Sequence, residues 1–269
     1  MTGLRAARTA AALVIPGELV LVLCLVAGVR VPGWALAAAE AAVLGVLLLE
    51  GWVLGRLYAR TRSWRETVRA AVPVPVRQLL LHEVRAVGSL GRWALRREHG
   101  VGAGDRAAPY TGPQTAMMYG LLFVAVVETV GLAVLVPWPA VHRVVLVLDV
   151  YGVVMVLALH AACVTRPHVL RADGSLRIRY GALFDLTVPP DALVSARVEH
   201  RFPEGRLVTL SGDGVLDLIV GGQTTVTLEL NRPLDFRRPL GARGRARTVR
   251  FHADDPRALV SALRQPAPP

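Results

Sequence analysis

Residues 115–165 read TAMMYGLLFVAVVETVGLAVLVPWPAVHRVVLVLDVYGVVMVLALHAACVT, two apolar runs parted only by Pro137-Trp138-Pro139. Each run, Thr115–Val136 and Ala140–Thr165, reaches the roughly 20 residues that carry a helix across a ~30 Å hydrocarbon core. The break between them is so short that the two helices must be antiparallel neighbours. Upstream the pattern repeats: Ala10–Val31 and Trp34–Leu57 are equally apolar and turn at Arg30-Val31-Pro32-Gly33. Aromatic residues make up only 6% of the chain, and Ala, Leu and Val fill the runs without period-two alternation. That texture suits helices rather than the alternating strands of an outer-membrane barrel. Arg5 and Arg8 precede the first run as in a secretory signal, but a second run follows at once, so a retained helix is expected.

Charge orients these spans. All 31 basic residues are Arg and the formal net charge is +11. The segment Arg56–Gly112 carries eleven Arg against Glu66, Glu83, Glu98 and Asp105, a net of +7, whereas only Arg30 and Arg143 lie near the opposite turns. By the positive-inside rule this segment, the N-terminus and the C-terminal tail face the cytoplasm of a bacterial inner membrane. Orientation and anionic lipid account for the basic balance, which leaves no need for a nucleic-acid partner. With no Lys, a Walker-A loop, a Schiff-base lysine and a Ser–Lys dyad are all excluded. Cys24 and Cys163 lie inside spans and imply buried thiols rather than a disulfide framework.

The chain thus divides into a transmembrane hairpin (1–58), a basic cytoplasmic segment (59–114), a second hairpin (115–165) and a cytoplasmic domain (166–269). After Pro73-Val74-Pro75 the spacing predicts an amphipathic helix over about Val76–Glu98. Val76, Leu80, Val84, Val87, Gly91, Ala94 and Leu95 share one face; Gln78, His82, Arg85, Ser89, Arg92 and Arg96 share the other. Two readings fit: a helix in the inner interface with guanidinium groups towards lipid phosphates, or one packed on the cytoplasmic domain. His99–Gln114, rich in Gly and Pro, reads as a loop. Its Gly100–Gly104 run is a weak phosphate-loop signal with neither a preceding strand nor a Lys.

From Arg166 onward short strands are expected at Leu176–Tyr180, Leu183–Val188, Leu193–His200, Leu207–Leu210, Val215–Val220, Thr224–Leu230 and Thr248–His252. Asp213-Gly214 marks a hairpin turn. Asp254-Asp255-Pro256 opens a final helix that buries Leu259, Val260 and Leu263. Asp173–Gly181 (DGSLRIRYG), Val188–Ala196 (VPPDALVSA), Arg247–Pro256 (RTVRFHADDP) and the last helix together resemble the bacterial PH-like domains. The resemblance covers about 100 of the 269 residues. The whole chain also resembles four-span membrane proteins of actinobacteria. The expected chain is α+β: a four-helix transmembrane bundle, an interfacial amphipathic helix, and a C-terminal antiparallel β-barrel capped by a helix, which the resemblance makes PH-like. They supply no ligand-binding residues, since the Lys-rich first loop used by eukaryotic relatives has no counterpart here.

Ionisable residues within the apolar runs are the first candidates for function, because charge is costly there. They are Glu18, Glu40, Glu50, Glu128 and Asp149, accompanied by His142, Arg143 and His160. At 1.5 Å per residue, Glu18, Glu50 and His160 fall roughly 7–11 Å from the cytoplasmic side, and Glu40, Glu128 and Asp149 roughly 20–24 Å, giving two polar layers. His142, Asp149 and His160 share one stripe, expected to face the bundle interior. A proton or cation site and a purely structural pairing both fit that stripe. The second group is basic: Arg85, Arg92 and Arg96 on the amphipathic helix, and Arg237, Arg238, Arg243, Arg245 and Arg247 in the loop expected before the last strand. These are lipid-contact candidates. No metal, cofactor or catalytic constellation emerges; His82-Glu83 lacks a second His at Ala86, and Ser89 lacks a nucleophile-elbow context. The reading is a non-enzymatic membrane protein whose cytoplasmic domain binds a partner protein or anionic headgroups. A proton- or ion-coupled transport component is the alternative.

Overall fold

The computed structural model describes residues 31–135 and 139–264, with single helical positions between Thr9 and Cys24. Most of the expected first span, Glu18 included, lies outside the described residues. The chain divides into two compact units, Met1–Val74 and Pro75–Pro269.

In the first unit α1 (Gly33–Thr61) is 29 residues long, about 44 Å at helical rise. Its large apolar side chains, among them Trp34, Leu44, Leu47 and Leu48, are exposed. Arg62 ends it in the left-handed conformation, its N–H bonded to the Tyr58 carbonyl. The Thr67 hydroxyl then donates to the Ser63 carbonyl and meets the Thr61 hydroxyl, which starts α2 (Trp64–Ala71). Tyr58 and Trp64 stack across the turn at 4.7 Å.

The second unit holds α3 (Val74–Ala94), β1 (Arg106–Ala108), α4 (Gly112–Leu135) and α5 (Pro139–Val164). After them come β2 (His168–Leu170), β3 (Leu176–Tyr180), β4 (Phe184–Val188), β5 (Leu193–Arg201), β6 (Val208–Leu210), β7 (Val215–Leu218), β8 (Thr224–Arg237), β9 (Arg243–Phe251) and α6 (Pro256–Arg264). Among the described residues, three helices are long and apolar enough to cross a membrane: Gly33–Thr61, Gly112–Leu135 and Val141–Val164. Each lies within a few residues of its expected bounds. The helix expected over Val76–Glu98 stops four residues early, at Ala94, where Arg96 turns to positive φ.

The strands form two sheets rather than one closed antiparallel barrel. One is antiparallel, in the order β1-β2-β3-β4; the other runs β5-β8-β9-β7-β6, with β7 parallel to β9. Their inner faces share one core, from Leu176, Ile178 and Phe184 on the first sheet to Leu216, Leu228, Val249 and Phe251 on the second. Helix α6 packs against β5 and β8, and the Asp255 carboxylate caps it by accepting from the Ala258 N–H. Two expectations are corrected. The loop expected over His99–Gln114 contains β1 and the first turn of α4, and β1 pairs with β2, a strand too short to read in sequence. The basic run before the last strand is no loop: β8 and β9 extend into a hairpin arm pairing Asp235 with Arg245 and Arg237 with Arg243.

The start of α4 and the end of α5 are built into the β core. Tyr110, fully buried, accepts a hydrogen bond from the Gly181 N–H at 2.7 Å, and Tyr180 donates to Gln114 Oε1 at 2.9 Å. Cys163, on the last turn of α5, belongs to the same cluster.

Candidate functional site

Helix α3 has two faces and uses them in an unexpected sense. Its apolar stripe, with Val76, Leu80, Val84 and Val87, is exposed, as is Leu95 just beyond its end. Its polar stripe turns inward: His82 and Ser89 are buried, and Arg85 and Arg92 look onto the β sheets across a cleft. Small residues allow this close approach, Ala86 packing with Ala158 and Ala162 of α5 beside Leu90.

The cleft between α3, the end of α5 and β3–β4 has a volume of about 480 Å³ and is lined by five arginines, Arg85, Arg92, Arg166, Arg177 and Arg179, together with His99. The one acid in its lining, Asp185, is already gripped by Arg177 through both carboxylate oxygens. Arg166 follows α5 directly and is 7% exposed; its Nη1 donates to the Ser89 hydroxyl at 2.5 Å. Arg179, on β3, is 1% exposed. Its Nε donates to the Pro167 carbonyl and its Nη1 to the His99 carbonyl, while Nη2 has no partner among the described residues. Neither Arg166 nor Arg179 forms an ion pair among the described residues.

This electrostatic arrangement is costly. Burial, and then the neighbouring Arg177, lowers Arg179 to about 10, and burial with Arg92 lowers Arg166. Both remain cationic at neutral pH. Burial followed by Arg166 and Arg92 lowers His99 as well, which keeps its ring neutral. The main chain is fitted to the guanidiniums: Gly100 has φ +71, and a Cβ there would meet Arg179 Nη1 at 3.1 Å and Arg177 Nη1 at 3.2 Å. Thus Gly100, the first glycine of the run that resembled a weak phosphate loop, passes the backbone over two guanidiniums. Buried cations without counter-ions are costly to hold, and an anion in the cleft would offset that cost.

A second cavity, of about 960 Å³, lies between α3 and the β8–β9 arm and shares Arg85, Ala182, Phe184 and Asp185 with the first. Arg237, Arg238, Arg243 and Arg245 line it, with Asp235. The arm reaches α3 through its tip, where His82 Nε2 lies 2.7 Å from the Pro239 carbonyl oxygen. Comparison of the chain with protein-family models, with curated proteins and with solved structures yields no match.

Six of the eight predicted basic candidates line the two cavities. The exceptions are Arg96, beyond the end of α3, and Arg247, exposed on β9. The intramembrane candidates do not assemble into a comparable site. His142 and Asp149 of α5 share a small gap with Thr129 of α4. His160 is wedged between Tyr119 and Trp93 at ring distances of 5.2 and 5.8 Å. The stripe thus faces α4, with His160 also meeting α3. Glu128 is exposed on α4, away from the gap; on α1, Glu40 is exposed and Glu50 half-buried. Sequence reasoning missed Arg166, Arg179 and His99. The strand parity of Arg177 and Arg179 was correctly legible, but nothing in the alternation announced that their face is covered by Pro167 and His99.

Proposed function

We propose that this chain is a non-enzymatic, four-span inner-membrane protein, with both termini cytoplasmic, whose PH-like C-terminal domain binds anionic lipid headgroups at the inner leaflet. The observation that carries this reading is the placement of Arg166 and Arg179. They are buried cations without counter-ions, situated where an apolar helix enters the β domain and roofed by α3. The outward apolar stripe of α3 favours a helix lying in the interface, and its arginine stripe then closes over a headgroup from above. The β8–β9 arm adds four arginines to the same basic surface, each able to contribute up to ~1 kcal/mol near an anionic leaflet.

The test uses the full chain, purified in a non-ionic detergent, with short-chain phosphatidylcholine, phosphatidylglycerol and phosphatidic acid titrated by calorimetry. Anionic lipids are expected to bind and phosphatidylcholine to bind at least about tenfold more weakly, since charge-assisted hydrogen bonds dominate the site. Equal affinity for all three lipids defeats the reading. The transport alternative retains one observation in its favour, the Asp149 Oδ2 that has no partner among the described residues beside His142. It predicts a proton leak in liposomes that Asp149→Asn abolishes.

A further inference from the structure

We propose that the cleft holding Arg166 and Arg179 selects a phosphomonoester, the doubly charged terminal phosphate of a headgroup, over the singly charged phosphodiester of an ordinary anionic lipid. This rests on the anionic-headgroup reading above and narrows it. Of the five guanidiniums in the cleft, Arg177 is neutralised by Asp185, which leaves four positive charges without a carboxylate in the lining. A phosphodiester brings one negative charge and two free oxygens. A phosphomonoester brings about −1.5 to −2 at neutral pH and three acceptor oxygens. The donors arrive from three separate elements: Arg85 and Arg92 from α3, Arg166 from beyond α5, and Arg179 from β3. Two of these guanidiniums, Arg166 and Arg179, are buried; three terminal oxygens and a second negative charge answer donors from all three directions more fully than a diester, which has one oxygen fewer and about half the charge.

Arg179 also keeps one buried nitrogen, Nη2, without a partner among the described residues. Arg179 is 1% exposed, its other donors are fixed by the Pro167 and His99 carbonyls, and this remaining nitrogen has no protein acceptor among the described residues. The cleft is larger than a phosphate requires, and its lining includes Val84 and Gly88. Val84 is 71% exposed on the apolar stripe of α3. One lip of the cleft is therefore apolar and continuous with the face that would meet acyl chains, which fits entry of a headgroup from the bilayer side.

Four ligands are titrated into the full chain in non-ionic detergent: short-chain phosphatidic acid, short-chain phosphatidylglycerol, glycerol 3-phosphate and inorganic phosphate. Phosphatidic acid is expected to bind about tenfold or more tightly than phosphatidylglycerol. Phosphatidic acid binding more tightly than glycerol 3-phosphate assigns a lipid source; equal affinities assign a soluble phosphomonoester of the same chemistry. Equal affinity for phosphatidic acid and phosphatidylglycerol, both above phosphatidylcholine, overturns the monoester selectivity and leaves the anionic-headgroup reading intact. Failure of every anion overturns both. Arg179→Gln is expected to abolish binding but touches a buried residue, so Arg92→Gln, on the half-buried roof, is the companion variant. It is expected to keep the parent Tm while losing most of the discrimination between the two lipids. A variant with both the parent Tm and the parent discrimination counts against the assignment.

Discussion

At the scale of single residues, His168 links the arginine cleft to the β core. It is fully buried, its Nδ1 accepts from the Arg179 N–H at 3.0 Å, and its Nε2 lies 2.8 Å from the His252 carbonyl oxygen. This pair of partners allows one state, a neutral ring carrying its proton on Nε2; a second proton on Nδ1 would face a backbone donor. Burial accordingly lowers its pKa from the ordinary 6.5 to about 3. Below pH 6.5 the unfolded chain takes up a proton that the folded chain refuses, so stability falls with pH and the loss levels off only near pH 3. His252 is also lowered, by burial first, and adds to the loss in the same direction. The Tm of the full chain is expected to drop steeply between pH 7 and pH 4, by a free energy of the order of a few kcal/mol. His168→Gln is expected to start less stable at pH 7 and to lose less over the same interval. An equally steep loss in the variant would remove His168 from the explanation.

At the scale of elements, α3 separates its two sequence readings by what each face touches. A helix simply packed on a soluble domain buries its apolar stripe. Here Leu80 and Val84 are more than half exposed, and buried His82 and Ser89 belong to the polar stripe. Nitroxides at Val84→Cys and Leu80→Cys, in a chain with Cys24 and Cys163 replaced by Ala, are expected to be accessible to oxygen in bilayers, and one at Arg96→Cys to aqueous nickel. Strong nickel accessibility at 80 and 84 would return the helix to the aqueous domain. This element also marks the limit of what sequence could tell. Period 3.6 separated the exposed apolar stripe of α3 from the stripe holding buried His82 and Ser89, and apolar length alone located α1, α4 and α5, because both signals are local. Whether the arginine face met lipid or protein depended on Ala86, Ala158 and Ala162, whose small side chains permit a close crossing. It depended equally on β1 and β2, three residues each and paired across a separation of about 60 positions. Such contacts leave no periodic trace. The arm of β8 and β9 was hidden for another reason: its Arg, Pro and Gly content has low strand propensity, and cross-strand pairs such as Asp235–Arg245 set the pairing.

At the scale of the second unit, the function proposed for the cleft requires the β domain to keep a fixed position on α4 and α5, since its donors come from both sides of that junction. One side of the junction is a backbone contact. Gly221 has φ +57, and a Cβ there would lie 2.5 Å from Pro113 Cβ at the start of α4, next to the Gly112 N–H that donates to Asp254 at 3.0 Å. Its neighbour Gly222 has φ +75 but nothing within 4 Å. Both positions charge an L-residue for left-handed backbone, about 1–2 kcal/mol. Only Gly221 adds a collision with main chain, a further 1–3 kcal/mol for overpacking that cannot relax through a side-chain rotation. Gly221→Ala is therefore expected to lower the Tm of the full chain clearly more than Gly222→Ala, and the difference between the two isolates the junction from the strain of the turn. If the cleft depends on that junction, Gly221→Ala should also weaken phosphatidic acid binding at temperatures well below its Tm, whereas Gly222→Ala should not. Equal binding in both variants would mean that the arginines of α3, α5 and β3 hold their geometry without the contact at Pro113, and that the cleft is secured by Tyr110, Gln114 and Cys163 on its own side of the core.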